Sequence, residues 1–494
     1  MAAVFGMVMA MGSTPLAIPD SYELIQEGRC MLGFEMDPGV CASINPAYWT
    51  PGWSLPVGLL SAVTSPFAAA GAVSLLAMAL LVVPCWSLGR RFGAWQIGFL
   101  ASVMLVCTPA LRTYGMLADG RGLSVLCLFS SWALALRSCE ERHAVGWALG
   151  AGAVAGLGAL VRPEGLLTLL LVPLFVLCSS RSIRSASAAL VGGVLTALPW
   201  WLSLSNSRGR FGLTPRDWEG SGFSLLEILP KREVLELYGM GAYDTPFRTT
   251  ALQFDVAISG VGLDLPGGIE WLGTHLLHAV PWWGWIMALV GVVCTVRARR
   301  WRVLIALLLT AAPAFVAAFK PQSRDVLLPM ANFLPVIVCA WILGSVGVVK
   351  LSSWILNRWQ LPARIGLMPV IVLGFCVTLE GPRVDLVPST ELLIPGRAAS
   401  DWLRSQEVYK VRASFESAPV IHMADQQWDP WPSRWDSTAW SSSERVPDFV
   451  LFTDLDDYAS PADYENLTPV AYFGDDRAWV LIMSLVDSST SENR

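Results

Sequence analysis

Residues 66–88 read PFAAAGAVSLLAMALLVVPCWSL and contain no charged side chain. A helix needs about 20 apolar residues to cross the hydrocarbon core of a bilayer, so this stretch predicts a membrane-spanning helix. Similar runs recur along the chain and predict about eleven spans in all. Residues 51–64 form either a further span or a helix at the membrane surface. The predicted spans are 2–19, 66–88, 93–111, 120–137, 144–161, 165–178, 186–204, 276–296, 302–319, 325–348 and 365–380.

The composition supports an integral membrane protein. Of the 494 residues, 54% are hydrophobic and 15% are charged, whereas soluble domains carry about 25% charged residues. The sequence has no basic block, which argues against nucleic acid as a partner. Its 10 cysteines form no metal-binding spacing. Only Cys30 and Cys41 share a polar loop, and they can form a disulfide if that loop is extracytoplasmic.

Basic residues orient the predicted spans. They concentrate in alternate connections, and short loops rich in Lys and Arg stay on the cytoplasmic side of a membrane. The remaining connections and the C-terminal tail are therefore expected on the outer side. The basic connections contain Arg90 and Arg91, Arg137 and Arg142, Arg181 and Arg184, Arg297 to Arg302, and Lys350, Arg358 and Arg364.

The chain is predicted to fold as an all-α polytopic membrane protein with a small C-terminal α/β domain. Residues 1–380 are expected to form the membrane domain, with outer loops at 20–55 and 205–275. Residues 381–494 are expected to form the extracytoplasmic domain. Its pattern contains an amphipathic helix near 397–406 and strand-like runs at 418–423, 448–452 and 478–485.

Two carboxylates stand at the beginning of the first outer loop. Asp20 and Glu23 are three residues apart and share a face if the segment is helical. Such a pair can hold a divalent cation, or one carboxylate can act as a general base while the other tunes it. A helix cap followed by a capping-box Glu explains the same spacing. The spacing alone leaves both interpretations open.

Further charged residues are predicted at outer ends of spans. Snorkelling to the interface explains any one of these cations, but several outer arginines run against the positive-inside bias. Outer cations facing an acidic loop suit an anionic group such as a phosphate beside a catalytic carboxylate. These residues are Asp119 and Arg121, Arg162 and Glu164, and Lys320 and Arg324.

Taken in order, these segments resemble the GT-C glycosyltransferases over most of residues 15–345. The resemblance is to bacterial relatives of the dolichyl-phosphate-mannose protein mannosyltransferases and of the lipid A aminoarabinose transferases. Ser21 follows Asp20 where the family often has an acidic residue, and Asp325 stands where Tyr is common. The motifs are DSYELIQEG at 20–28, YWTPGWSLP at 48–56, Asp119 at the start of a span, RPEG at 162–165 and RDVLLP at 324–329.

The resemblance implies an inverting glycosyltransferase in a bacterial cytoplasmic membrane, with its active site on the outer face. It would move a sugar from a polyprenyl-phosphate donor to a glycan, lipid or protein acceptor. Asp20 would be the general base, and Arg162, Arg324 and Lys320 would bind the donor phosphate. A divalent cation, Mg²⁺ or Mn²⁺, is a possible cofactor, with Asp20 and Glu23 as ligands. The supporting or acceptor-binding residues would be Glu23, Asp119, Glu164 and Tyr48.

Two other functions stay open at this point. A transporter or flippase of lipid-linked sugars would carry charged residues within its spans and show inverted repeats. The spans here are nearly free of charge. The departures at Ser21 and Asp325 leave room for a catalytically inactive assembly protein with the same fold.

Overall fold

The computed structural model describes the membrane helices and the C-terminal strands. The chain divides into two compact units: Met1–Pro15 with Ala47–Val384, and Leu16–Pro46 with Asp385–Arg494. The boundary between residues 380 and 381 stays a prediction. The described residues are 19–34, 51–108, 111, 115, 119–141, 143–162, 165–208, 280–318, 333–359, 398–399, 401–403, 405–406, 410–413, 427–430, 449–453, 467–474 and 479–485.

Helices dominate the described residues. One of them, α1, belongs to the smaller unit, and the others belong to the larger unit. In chain order they are α1 (Pro19–Met31), α2 (Pro51–Ser61), α3 (Pro66–Arg90), α4 (Trp95–Cys107), α5 (Arg121–Ser138), α6 (Ala144–Val161), α7 (Gly165–Ser180), α8 (Ile183–Arg208), α9 (Trp282–Arg297), α10 (Trp301–Ala318) and α11 (Leu334–Trp359).

Each predicted span from 66–88 to 325–348 overlaps one of the helices α3 to α11. The spans predicted at 2–19 and 365–380 fall on segments 1–18 and 360–397, outside the described residues, so the total of about eleven stays a prediction. Shorter apolar helices are α4, α7, α9 and the first part of α10. Within the described ranges, four helices are long and apolar enough to cross a membrane: Ala68–Arg90, Ala144–Val161, Ile183–Ser203 and Leu334–Trp359.

Glycines let α6 and α8 approach closely. A Cβ atom at Gly152 would overlap the carbonyl of Ala189, and one at Gly156 would overlap the carbonyl of Gly193. Small residues of this kind let the backbones of membrane helices come into direct contact. Because both contacts advance along the two helices together, α6 and α8 run parallel.

Several connections between consecutive helices meet on one face of the larger unit. Arg91, which follows α3, pairs with Glu140, which follows α5. The Arg302 guanidinium, at the start of α10, acts electrostatically on the Cys139 thiol after α5. Because α6 and α8 run parallel, both start on this face, and the connection between α7 and α8 at Arg181 therefore lies there as well.

This face, called the arginine-rich face below, differs in charge from the opposite one. Within the described residues its acidic side chains are Glu140 and Glu141, and most of its basic side chains are exposed. This charge distribution agrees with the alternation expected from the sequence. The basic residues are Arg90, Arg91, Arg137, Arg181, Arg184, Arg297, Arg299, Arg300, Arg302, Lys350 and Arg358.

The smaller unit contains a mixed sheet of five strands in the order β2-β1-β3-β5-β4. Strand β1 is parallel to β2 and β3, and β5 is antiparallel to β3 and β4. The predicted strands at 448–452 and 478–485 coincide with β3 and β5, whereas 418–423 lies outside the described residues. The strands are β1 (Lys410–Ala413), β2 (Gln427–Pro430), β3 (Phe449–Thr453), β4 (Leu467–Gly474) and β5 (Trp479–Leu485).

One face of this sheet packs on a helical segment. Residues 398–399, 401–403 and 405 are helical, within the helix predicted near 397–406. Buried Ala399 and Leu403, four residues apart, join the central strands in one apolar cluster. The Trp402 and Phe449 rings meet edge to face with centroids 5.5 Å apart. The strand residues of the cluster are Val411, Leu451, Val480 and Ile482.

The structure tests one half of the predicted disulfide between Cys30 and Cys41. Cys30, near the end of α1, is disulfide-bonded. Cys41 lies outside the described residues, so its pairing with Cys30 stays a prediction. Structural disulfides form in oxidising compartments, which fits the predicted outer location of this segment.

The close packing of α6 on α8 makes Gly152→Ala a sensitive test of the fold. The added methyl group must push α8 away, and overpacking of this kind costs about 1–3 kcal/mol. Gly146→Ala is the matched control, because a Cβ atom there meets no atom within 4 Å. We expect thermal unfolding in detergent to shift down for Gly152→Ala only. Equal midpoints for the two variants would contradict the packing.

Candidate functional site

Four helix ends of the larger unit meet opposite the arginine-rich face. They are the starts of α2, α5 and α7 and the end of α6. A Cβ atom at Gly52 would lie 2.5 Å from the carbonyl carbon of Leu160, so α2 begins directly against the end of α6. A Cβ atom at Gly165 would overlap the carbonyl of Gly158, so α7 begins equally close. These contacts fix the backbone around Arg162, which caps α6.

Asp119 is placed by the turn that starts α5. Gly120 has φ +83°, a left-handed conformation that side chains other than glycine rarely adopt. The turn directs the Asp119 carboxylate back to the helix, where Oδ1 accepts a hydrogen bond from the Arg121 backbone N–H at 3.0 Å. A carboxylate at a helix N-terminus is also stabilised by the helix dipole.

The Asp119 carboxylate faces two guanidinium groups. Its Oδ2 lies 2.9 Å from Nη1 of Arg121 and 3.9 Å from Nη1 of Arg162. The exposed fractions of the side chains are 3% for Asp119, 11% for Arg121 and 20% for Arg162. One carboxylate thus faces two cations. Arg121 lies closer to it than Arg162 does.

Trp53 packs against the turn that positions Asp119. A Cβ atom at Gly120 would lie 3.0 Å from Cβ of Trp53 and 3.3 Å from Cγ1 of Val161. Trp53 is 1% exposed, so it is buried against the turn. Its Nε1 atom has no hydrogen-bond partner within the described part of the chain.

The cluster has the chemistry of an anion site. Arginine binds phosphate oxygens through charge-assisted hydrogen bonds, and partial burial strengthens the attraction because less water screens it. Arg162 is the more exposed of the two arginines and lies farther from Asp119, so it is the more accessible to a phosphate.

The same geometry does not suit Asp119 as a metal ligand. Two guanidinium groups already face its Oδ2 atom, and they would repel a divalent cation. Among the described residues there is no group of three His, Cys, Asp or Glu side chains that could hold a metal. The predicted ligand pair Asp20 and Glu23 stays a prediction, because nothing is described of their side chains.

The structure brings two of the predicted site residues together, Asp119 and Arg162. It places Asp20 and Glu23 on α1, three residues apart on one face of a 13-residue helix. That helix belongs to the smaller unit, and the ion cluster belongs to the larger one. The other predicted residues lie outside the described residues: Tyr48, Glu164, Lys320 and Arg324.

Two residues gain importance from the structure. Arg121 makes the shorter of the two ion pairs with Asp119, although its position in the sequence assigned it no specific role. Glu27 is fully buried on α1 and, seven residues after Asp20, shares its face. The spacing of Asp20, Glu23 and Glu27 contained this signal, because positions i, i+3 and i+7 line one side of a helix.

Sequence comparison extends over the helices that build the ion cluster. Residues 58–202 match the model of the dolichyl-phosphate-mannose-protein mannosyltransferase family. The match includes α5, α6 and α7, and therefore Asp119, Arg121 and Arg162. No curated protein matches the chain in sequence.

Solved structures extend the likeness to nearly the whole chain. ArnT from Cupriavidus metallidurans, bound to undecaprenyl phosphate, aligns with a TM-score of 0.57 and 13% identity over 97% of this chain and 96% of its own. The oligosaccharyltransferase AglB from Archaeoglobus fulgidus, in complex with an inhibitory peptide and a dolichol-phosphate, aligns with a TM-score of 0.52 and 13% identity. That alignment covers 91% of this chain and 68% of AglB.

The chain is thus a polytopic membrane protein with the GT-C fold. The resemblance to GT-C membrane glycosyltransferases found in the sequence is confirmed. AglB has also been crystallised in complex with Zn and sulfate, and AglB and ArnT are themselves glycosyltransferases of this fold.

Removing the Asp119 charge tests the ion cluster. Asp119→Asn leaves Arg121 largely buried without its counter-charge, and breaking a buried pair in this way costs about 3–5 kcal/mol. The control is Glu141→Gln, because Glu141 is 47% exposed and lies 3.9 Å from Arg137; an exposed pair contributes under about 1 kcal/mol. We expect a lower unfolding midpoint for Asp119→Asn alone. A midpoint equal to that of the control would show that Asp119 does not hold the cluster.

Proposed function

We propose that this protein is an inverting glycosyltransferase that uses a polyprenyl-phosphate sugar and acts at the outer face of a bacterial cytoplasmic membrane. The observation that carries the proposal is the cluster of Asp119, Arg121 and Arg162, in which two guanidinium groups face one carboxylate, in a GT-C fold. Similar structures hold undecaprenyl phosphate in ArnT and dolichol-phosphate in AglB. A polyprenyl phosphate is the corresponding ligand here.

The donor phosphate would bind Arg162, with Arg324 and Lys320 completing the site. Positive charge at this position favours the departure of the phosphate, because negative charge builds up on it as its bond to the sugar breaks. Asp119 is a positioning residue: it fixes Arg121 and holds Arg162 near the phosphate site. Glu164 and Tyr48 are proposed to contact the acceptor.

Asp20 is proposed as the general base. Its carboxylate would take the proton of the acceptor hydroxyl while the oxygen attacks the anomeric carbon from the side opposite the phosphate. The bond from that carbon to the phosphate oxygen breaks, and the polyprenyl phosphate leaves as an anion, so the sugar configuration inverts. Glu23 is proposed to support this role from the same face of α1.

The charge distribution supports an outward-facing site. The arginine-rich face is expected to be cytoplasmic by the positive-inside bias, and Asp119 and Arg162 lie at the opposite helix ends. The disulfide at Cys30 supports the same side for α1. The tail unit with its five-stranded sheet is proposed to lie there as well.

The placement of charges favours surface chemistry over transport. In α3 to α10 every charged residue lies within two positions of a helix end. A transporter places ionisable side chains near the middle of its helices, around a central binding site. These eight helices therefore favour a reaction at one membrane face.

Binding of undecaprenyl phosphate to the full-length protein in nanodiscs tests the donor site. Arg162→Gln removes a charged donor to phosphate, a contact that contributes a factor of about 10 to 100 in affinity. Arg297→Gln, an exposed arginine on the arginine-rich face, is the matched control. We expect a lower affinity for Arg162→Gln and wild-type affinity for Arg297→Gln. Equal affinities in all three proteins would refute the donor site.

Transfer from undecaprenyl-phosphate mannose to a panel of hydroxyl acceptors tests the reaction. Asp20→Asn should bind undecaprenyl phosphate normally yet lose a factor of about 10² to 10⁴ in turnover, the usual contribution of a general base. A folded Asp20→Asn protein with full turnover would exclude Asp20 as the base. The wild-type protein could also bind undecaprenyl phosphate normally yet transfer no sugar to any acceptor, whether the donor carries mannose or another sugar. That result would favour a catalytically inactive assembly protein.

A further inference from the structure

A groove runs between α7 and α10 and opens on the arginine-rich face. It has a volume of about 660 Å³, and it belongs entirely to the larger unit. Apolar side chains line most of it, and polar side chains gather at the end where α7 stops and α10 begins. The apolar residues are Leu171, Leu174, Phe175, Ile305 and Leu309, and the polar end contains Ser179, Ser180, Arg181 and Arg302.

The apolar part lies at membrane depth. Leu309 follows Arg302 by seven residues, which corresponds to about 10 Å along the helix axis. The hydrocarbon core is about 30 Å thick, so the groove occupies one leaflet. Its walls face the surroundings of the protein, because Leu174 is 55% exposed and Ile305 is 44% exposed. Acyl chains are the apolar groups that surround a protein at this depth.

The polar end carries two positive charges at the level of lipid headgroups. Within the part of the chain that the structure describes, the carboxylates that form ion pairs on this face, Glu140 and Glu141, pair with Arg91 and Arg137. Neither Arg181 nor Arg302 forms such a pair there. Trp301, which is 49% exposed and lines the same end, is the residue type that favours the membrane interface.

We infer that this groove binds one anionic glycerophospholipid of the leaflet on the arginine-rich face. The headgroup phosphate would contact Arg181 and Arg302, with the Ser179 and Ser180 hydroxyl groups as further polar contacts. The acyl chains would lie on Leu174 and Ile305. Basic pockets between membrane helices on the cytoplasmic side bind anionic lipid headgroups by the same charge complementarity.

This lipid site is separate from the proposed donor site. Arg181 and Arg302 lie on the arginine-rich face, whereas Arg162 lies at the opposite end of α6. A polyprenyl phosphate serving the reaction would place its phosphate beside Arg162. The groove lipid would instead fill the gap between α7 and α10 and hold the two helices at a fixed distance.

The test is photolabelling of the full-length protein in nanodiscs with a phosphatidylglycerol that carries a diazirine on one acyl chain. Labelled positions are mapped by mass spectrometry, and unlabelled phosphatidylglycerol, phosphatidylcholine and undecaprenyl phosphate compete. We expect labelling at the apolar groove residues. Unlabelled phosphatidylglycerol should compete at least fivefold better than the other two lipids, because only it combines a net negative headgroup with two acyl chains.

Two pairs of variants distinguish lipid binding in the groove from a general attraction of anionic lipid to the arginine-rich face. The double variant Arg181→Gln/Arg302→Gln should lose about fivefold in affinity per arginine, from a contribution of roughly 1 kcal/mol for each cation. Arg90→Gln, an exposed arginine on the same face, should leave labelling unchanged. Leu174→Trp should block the groove, whereas Leu195→Trp, at a 60% exposed position on α8, should not.

Each outcome decides for or against the lipid site. Loss of labelling in both groove variants, with both controls normal, supports it. Unchanged labelling in Arg181→Gln/Arg302→Gln, or equal loss in Arg90→Gln, overturns it. Labelling that persists in Leu174→Trp also overturns it, because the lipid then lies elsewhere. Preferential displacement by undecaprenyl phosphate would assign the groove to the carrier lipid and overturn the inference.

Discussion

The close contact between backbones around α6 determines how the larger unit is arranged. Gly152 and Gly156 place α8 directly on one side of this helix, and Gly158 receives the start of α7 through Gly165. In a bilayer, apolar side chains gain little by packing against each other rather than against lipid, so van der Waals contact between close backbones holds the helices together. The end of α6 is therefore rigid, and Arg162 is positioned by packing that lies within the membrane.

The sequence predicted the helices well because their signal is local. Uninterrupted apolar runs identify spans without any knowledge of their neighbours, and the helices from 66 to 359 follow those runs. The strands of the smaller unit were harder to predict from the sequence. Strands β1 and β2 have four residues each, too few for a clear alternation. Strand β4 contains Pro469 and exposes Val470 and Tyr472, an arrangement tolerated at the edge of a sheet.

The candidate site could be predicted only in parts. The sequence identified Asp119 and Arg162 as unusual polar residues at span ends, but their pairing depends on how α5 and α6 pack. Trp53 illustrates the limit most clearly. Helix α2 starts against α6 because Gly52 has no side chain, and this contact buries Trp53. Such a contact is tertiary and leaves no periodic pattern.

The two faces of the larger unit use arginine for different purposes. On the arginine-rich face most guanidinium groups are exposed, and water and lipid headgroups can solvate them at little cost. On the opposite face Arg121 and Arg162 are largely buried, and burial of a charge is tolerated only when it is paired. Asp119 faces both of these cations. An incoming phosphate would meet the same two guanidinium groups, and their partial burial would strengthen the attraction because less water screens it.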